Sequence, residues 1–259
     1  MIDFHNHLIP GVDDGAESAE QSATALRAYQ EQGVHTVVAT PHVSGALTRE
    51  PAALAERLEE LDRGWAQLEE VARESGIKVL RGAEVMLDTP SPDFSDVRLR
   101  LGGTRAVLVE FPFMNVPPRV TDALFDIKMA GWTPVLAHPE RYGNSAQDLA
   151  DAGEWRRVGA ALQVNAGSLL GRYGDRPREL AWGLVERGWA DYVGSDYHAR
   201  GRLALADCRA ELERRGGAEH ARLLLDENPA RMLDGKAPLP VPPLGPPRPL
   251  WKRILRLGA

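Results

Sequence analysis

Four times along this chain a helix-like segment meets a glycine and then turns at once into a short apolar run: Gln32-Gly33, Ser75-Gly76, Ala130-Gly131 and Arg187-Gly188. Glycine accepts the left-handed backbone that ends a helix, so this grammar reads as helix stop followed by strand start. The candidate strands are Met1–His5, Thr36–Thr40, Lys78–Ala83, Ala106–Glu110, Thr133–Ala137, Ala161–Val164 and Tyr192–Gly194. Between them lie helical patterns at Ser18–Gln32, Pro51–Glu74, Val120–Ala130, Ala146–Val158, Pro177–Arg187 and Arg202–Arg215. Strands alternating with helices predict a parallel sheet. About seven such units predict one α/β barrel domain rather than an open doubly wound sheet, which gathers ligands at fewer strand ends.

Composition removes several classes of function. At 43% hydrophobic and 26% charged residues the chain is ordinary globular material, long enough to bury a core without disulfide staples. Its one cysteine, Cys208, excludes an internal disulfide and a CxxC motif; set in ALADCRAELERR, it reads as a packing residue. A net charge of −6 argues against a nucleic-acid partner, whose phosphates call for a basic excess. No run of ~18 apolar residues offers a membrane span. The opening MIDFHNHLIPG lacks the features of a secretion signal, so the expected compartment is the cytosol. Gly235–Pro249, GKAPLPVPPLGPPRP, reads as extended and polyproline-like, which divides the chain into a domain at 1–235 and a tail at 236–259 ending in WKRILRLGA.

The chemistry gathers where the strands end. His5 and His7 follow the first strand, and in extended chain residues two apart project to the same side. His42 closes the corner Thr40-Pro41-His42, and His138 repeats the design before Pro139. Glu84 ends VLRGAE, and Glu110 follows a run so apolar that its burial requires a compensating cation. Asp196 and His198 stand two apart after the last strand. The loop Pro10–Gly15, with Asp13 and Asp14, reads on its own as a solvated turn. Five of the seven histidines thus sit at strand ends among carboxylates, whereas His35 and His220 read as ordinary core or surface residues. Such a mixed set suits manganese, iron or zinc, and its size points to two or three ions. No GxSxG elbow supports acyl transfer.

The motifs DFHNHLIPGVDDG, ATPH, GAEV, VEFP, AHPERY and GSDYH resemble the PHP (polymerase and histidinol phosphatase) superfamily. Within it the chain is most similar to the bacterial manganese-dependent protein tyrosine phosphatases of capsule and exopolysaccharide loci. The resemblance covers Met1 to about Gly235, and implies a distorted (β/α)7 TIM-like barrel around a trinuclear centre. It implies one ion held by His5, His7, Glu84 and Asp196, and a second by Glu84, Glu110 and His138. Asp14, promoted from turn residue to ligand, would hold the third with His42 and His198. Arg141 and Arg202 are the implied catalytic, substrate-binding arginines, with Arg200 as the alternative to Arg202. The implied reaction is hydrolysis of phosphotyrosine in a protein, the C-terminal tail of a tyrosine kinase being the expected partner in the control of polysaccharide synthesis.

Three rivals share parts of this pattern. A histidinol phosphatase, or another small-molecule phosphoesterase, would use the same ligands. An amidohydrolase also opens with HxH, but the strand ends where its central lysine is expected carry glutamates here. A non-catalytic, metal-stabilised regulatory module would have no use for phosphate-binding arginines.

Overall fold

Runs such as Ala106–Glu110 are apolar on both faces, and they become parallel strands covered on both sides. The computed structural model describes residues 1–145 and 149–245. Among them are nine strands: β1 (Ile2–Asp3), β2 (Thr36–Ala39), β3 (His42–Ser44), β4 (Lys78–Arg81), β5 (Glu84–Met86), β6 (Ala106–Glu110), β7 (Thr133–Ala137), β8 (Ala161–Asn165) and β9 (Tyr192–Gly194). The helices are α1 (Ala19–Glu31), α2 (Pro51–Ser75), α3 (Val120–Met129), α4 (Ala150–Arg157), α5 (Ala166–Leu169), α6 (Asp175–Glu186), α7 (Leu205–Arg214), α8 (Ala218–Arg222) and α9 (Asn228–Leu233). The Ser18 hydroxyl caps α1 by accepting from the Gln21 amide, and Pro51 opens α2, where no amide is needed. Residues 146–148 of the expected fourth helix lie outside the described residues, as do 246–259 of the expected tail with WKRILRLGA.

Two expected strands are broken. The Thr36–Thr40 path stops at Ala39 and resumes as β3, because Pro41 has no amide to continue the ladder. The Lys78–Ala83 path stops at Arg81 and resumes as β5 after Gly82, whose amide donates to Ala39 O at 3.0 Å across the break. The segments therefore fall into two parallel sheets, β1-β2-β4 and β3-β5-β6-β7-β8-β9. An isolated parallel bridge, Asn6 to Tyr197, brings the extension of β1 beside that of β9. Two hydrogen bonds support it, from His7 N to Tyr197 O at 2.9 Å and from Asp196 N to His5 O at 2.8 Å. The expected barrel is thus an α/β fold of parallel sheets whose ladder does not close continuously.

Alternation sorts the core. Leu108, Val135, Ala137, Ala161 and Tyr192 belong to a smaller apolar cluster with Phe4, Val38 and Met232. Their neighbours Val107, Val109, Leu136, Leu162 and Val193 pack instead into the larger cluster beneath the helices. Stepping by two from the smaller cluster leads from Leu108 to Glu110 and from Tyr192 to Asp196, so one face carries apolar filling low and polar groups at its C-terminal end. Cys208 is fully buried on α7, and burial pushes its thiol up to about 12, as suits a packing residue.

The opposite end is shut by α9 and by the first residues of the expected tail. Asn228-Pro229 looks like a breaker, but proline is at home in a first helical turn, and α9 begins there. The Asn228 side chain donates to Asp191 O and Leu239 O and accepts from Leu239 N at 2.8 Å. His220 Nε2 lies 2.7 Å from Pro242 O, and Val241 and Leu244 are buried. Residues 236–245 are irregular, as the prolines require, yet docked. At Gly188 (φ +67°) a Cβ would lie 2.3 Å from Val241 O. Gly188→Ala should therefore lower Tm by roughly 4–8 °C, combining a left-handed alanine with displacement of this segment. Gly33→Ala, also at positive φ but with open space, should cost less. Equal losses in thermal melts of the two variants would show that the segment adds nothing to the fold.

Candidate metal centre

All the strand-end ligands foreseen in the sequence converge at the C-terminal end of the sheets. Three groups have ligand atoms within 4.8 Å of one another: His5, His7, Glu84 and Asp196; His42, Glu84 and Glu110; His7, Asp14, His42 and His198. Glu84 is central. Its Oε1 lies 3.1 Å from both His5 Nε2 and His138 Nε2, and its Oε2 lies 3.3 Å from His42 Nδ1 and 3.4 Å from His7 Nε2. Glu110 Oε1 lies 3.0 Å from His42 Nδ1. Asp14 Oδ1 lies 3.3 Å from His198 Nε2 and 3.5 Å from His42 Nε2. The grouping differs from the sequence expectation in two respects: His42, not His138, stands with Glu84 and Glu110, His138 meeting the cluster through Glu84 alone, and His7 also joins Asp14, His42 and His198.

Hydrogen bonds behind three of the imidazoles turn them inward. His5 Nδ1 donates to Gln163 Oε1 at 2.7 Å, His7 Nδ1 to Asp13 Oδ2 at 2.8 Å, and His198 Nδ1 to Asp196 O at 2.9 Å. Each of these bonds fixes the tautomer that leaves Nε2 as a lone pair facing the centre. Asp13 also accepts from the amides of Gly15 and His42. The turn it builds folds over His7 so closely that a Cβ at Gly15 would lie 2.1 Å from His7 O. Asp3, buried below, accepts from Tyr29 Oη, Ser195 Oγ, Ser195 N and Asn6 Nδ2, tying β1 and α1 to the loop that carries Asp196.

The electrostatics fit divalent ions. Of the ten buried side-chain atoms without a hydrogen-bond partner among the described residues, five belong to the candidate ligands: His5 Nε2, His7 Nε2, His42 Nδ1, His138 Nδ1 and Glu84 Oε2. All but His138 Nδ1 face the cluster through the contacts above, which is the donor set of a mixed N/O site. Burial alone would push His5 down, but the charges of Glu84 and Asp196 raise it to about 9. His7 and His42 are raised in the same way against burial. Glu84 and Asp196, which burial would raise, are held well below the usual carboxylate range by His5 and its neighbours.

Arg141 flanks this centre. Its guanidinium bonds Asp196 Oδ2, which Asn165 Nδ2 also reaches at 3.1 Å, while Asp196 Oδ1 faces His5 and His7 at 3.4 Å. The Tyr173 ring supports the guanidinium carbon 4.2 Å from its centroid. Arg200 donates to Asp14 O at 2.5 Å and so touches the ligand set directly. Arg202 is turned outward onto Asp207 at 3.0 Å. Asp3, Asp13, Gln163 and Tyr173 are neighbours of the cluster that fall in the sequence on strands or on connecting segments; Asp13, in the acidic GVDDG loop, is the one with a visible signal.

The profile of the family described as capsular polysaccharide synthesis, CpsB/CapC, matches residues 1–234. The tyrosine-protein phosphatase YwqE of Bacillus subtilis (strain 168) is 33% identical over 201 residues, 76% of this chain and 77% of that protein. The tyrosine-protein phosphatase CpsB of Streptococcus pneumoniae is 26% identical over 245 residues, 90% of this chain and 98% of that one. A solved chain from the crystal structures of YwqE and CpsB, described as metal-dependent tyrosine phosphatases, superposes with TM-score 0.76 at 30% identity, covering 95% of this chain and all of that one. Organophosphorus hydrolase from Deinococcus radiodurans shares the fold alone, at TM-score 0.50 and 18% identity over 90% of this chain and 92% of that one.

Asp13→Ala should weaken divalent-ion affinity about 10- to 100-fold, measured by calorimetric titration, with the far-ultraviolet spectrum retained. An unchanged affinity would remove Asp13 from the centre. The pH dependence of the chelator-treated protein has a definite sign. A histidine raised from 6.5 to about 9 contributes stability that is whole below pH 6.5 and lost as pH rises through about 9. Tm of the metal-free protein should therefore fall across that window. Divalent ions compete with these same protons, so their stabilisation should grow with pH. A metal-free Tm that rises between those pH values would contradict the cluster as described.

Proposed function

The chain belongs to the capsular polysaccharide synthesis CpsB/CapC family, and from that premise we propose that it is a metal-dependent phosphomonoesterase acting on phosphotyrosine in proteins. The observation that carries this reading is a cationic Arg141 clamped against a cluster of five imidazoles and four carboxylates (His5, His7, His42, His138, His198; Asp14, Glu84, Glu110, Asp196). We assign these nine as the ligands of two or three divalent ions, manganese first, with iron or zinc as chemically equivalent occupants. The strands work as a distorted (β/α)7 barrel within a catalytic domain at 1–235. The substrate is a phosphotyrosine protein of the polysaccharide machinery, the C-terminal tail of a tyrosine kinase, and the compartment is the cytoplasm. No helix among the described residues is long and apolar enough to cross a membrane.

Bound divalent ions supply Lewis acidity and lower the pKa of water towards ~7. The residues of the chain do the rest. Gln163, Asp13 and the Asp196 carbonyl keep three imidazoles in the unprotonated-Nε2 tautomer. Arg141, held by Asp196 and Tyr173, presents its N–H groups to the non-bridging phosphoryl oxygens and stabilises the charge that builds there. A second guanidinium comes from the 199–203 loop, where Arg202 and Arg200 line the same cleft. The phenol of tyrosine has a pKa of about 10, so its departure needs little protonation, and no general acid is assigned.

His42→Ala or Glu110→Ala should abolish metal-dependent turnover with the fold intact. Arg141→Ala should cost about 10²- to 10³-fold in kcat/KM while metal content stays near that of the parent protein. Arg202→Ala compared with Arg200→Ala identifies the second phosphate arginine by the larger rise in KM. A metal-loaded enzyme that hydrolyses histidinol phosphate but leaves a phosphotyrosine peptide untouched would overturn the proposal.

A further inference from the structure

The cleft does not stop at the ions. Along the edge formed by Asp196 and His198 it continues into a cavity of about 190 Å³ lined by Arg172, Tyr173, Arg200 and Arg202. Arg172, just after α5, donates from Nη1 to the backbone carbonyl of Arg202, and its Nη2 lies 3.8 Å from Asp207 Oδ2. Arg202 donates to Asp207 Oδ1 at 3.0 Å, so a single carboxylate answers two guanidiniums. The third, Arg200, faces Asp14 at 3.8 Å, but Asp14 stands in the ligand cluster, where its charge also faces His42 and His198 and would be drawn to bound ions. Among the described residues no other carboxylate pairs with these three arginines. The surplus is local, because the chain as a whole carries −6.

Counting charges against the proposed reaction leaves one cation unused. Arg141 and one arginine of the 199–203 loop are committed to the scissile phosphate, and Asp207 neutralises one more. Arg172 is the least solvated of the three, its side chain 35% exposed against 60% for Arg200 and 75% for Arg202. Its charge is therefore the least screened by salt. We propose that Arg172 and the Asp207-paired edge of this cavity form a second anion subsite. It takes a carboxylate or a second phosphate that flanks the phosphotyrosine, so that the preferred substrate is acidic around its target. This inference rests on the phosphotyrosine reading and adds the chemistry of the neighbouring residues.

The test compares phosphotyrosine peptides flanked on both sides by Gln, by Glu or by phosphoserine, with p-nitrophenyl phosphate as a substrate that has no flanking group. The metal-loaded parent enzyme should favour the Glu peptide over the Gln peptide by about fivefold in kcat/KM, the upper end for one exposed ion pair. The phosphoserine peptide separates phosphate from carboxylate as the better occupant. Arg172→Gln should bring the ratio of Glu to Gln peptide close to one, and Asp207→Asn should increase it. A ratio near one in the parent enzyme overturns the subsite and leaves the phosphotyrosine reading standing. Loss of rate on every substrate in Arg172→Gln, with the ratio preserved, also overturns it, since Arg172 would then only brace the Arg202 loop. Turnover of p-nitrophenyl phosphate with no turnover of any peptide would overturn the phosphotyrosine reading and the subsite with it.

Discussion

Glu84 is fully buried at the meeting point of four imidazoles, and everything around it follows from the cost of keeping that carboxylate ionised. A lone carboxylate there would take a proton instead. Neighbouring histidines answer its charge only if they carry protons themselves, and the bonds behind them to Gln163 and Asp13 leave the inward nitrogens bare. The outer shell thus prepares the imidazoles for a metal while the inner shell demands positive charge. Both requirements are met together by divalent ions.

Much of this was legible in the sequence because strand ends are local events. β6, β7 and β9 have the limits that their apolar runs indicate, and the glycines at 33, 76, 131 and 188 all adopt positive φ. The ligands were legible for the same reason: an imidazole or glutamate directly after an apolar run has little to do unless it binds something. What the sequence hid depends on contacts between distant segments. Gln163 reads as the polar residue of a strand until His5, 158 positions away, is placed against it. Asp3 looks like an interruption of β1 until Ser195 and Tyr29 arrive. The closing helices α8 and α9 are too short to show a helical period of their own, and proline stands in the first turn of α9. The motif resemblance supplied Asp14, for which spacing alone had no case.

The rim differs in kind from the centre. Phe113 and Met114 both hold left-handed φ, and Phe113 is 90% exposed beside the end of β6. Their loop is fastened to the segment after Arg141 by the Gly143 amide and by the Asn144 side chain, which bonds both the amide and the carbonyl of Val116. Strained backbone at a site mouth persists only where its surroundings over-determine it. The same clamp joins the loop of the exposed Phe113 and the segment after Arg141 into one unit. Tyr173 and Arg172, adjacent in sequence, connect that unit to the arginine wall.

The ladder that aligns the ligands has a further effect on how the chain finds its pairing. His42 lies opposite Glu84, and Met86 opposite Glu110, across short parallel strands of three to five residues. A slip by one residue would turn every ligand of a strand to the other face. The apolar contacts of Val43, Val85 and Val109 oppose such a slip, since it would drive His42, Glu84 and Glu110 into the larger apolar cluster. Ions held by these groups would bind only the pairing that brings them together, and at a hundredfold excess over Kd would favour it by about 2.7 kcal/mol. A bound cation would thus add to the penalty that the buried apolar face already sets on the wrong register.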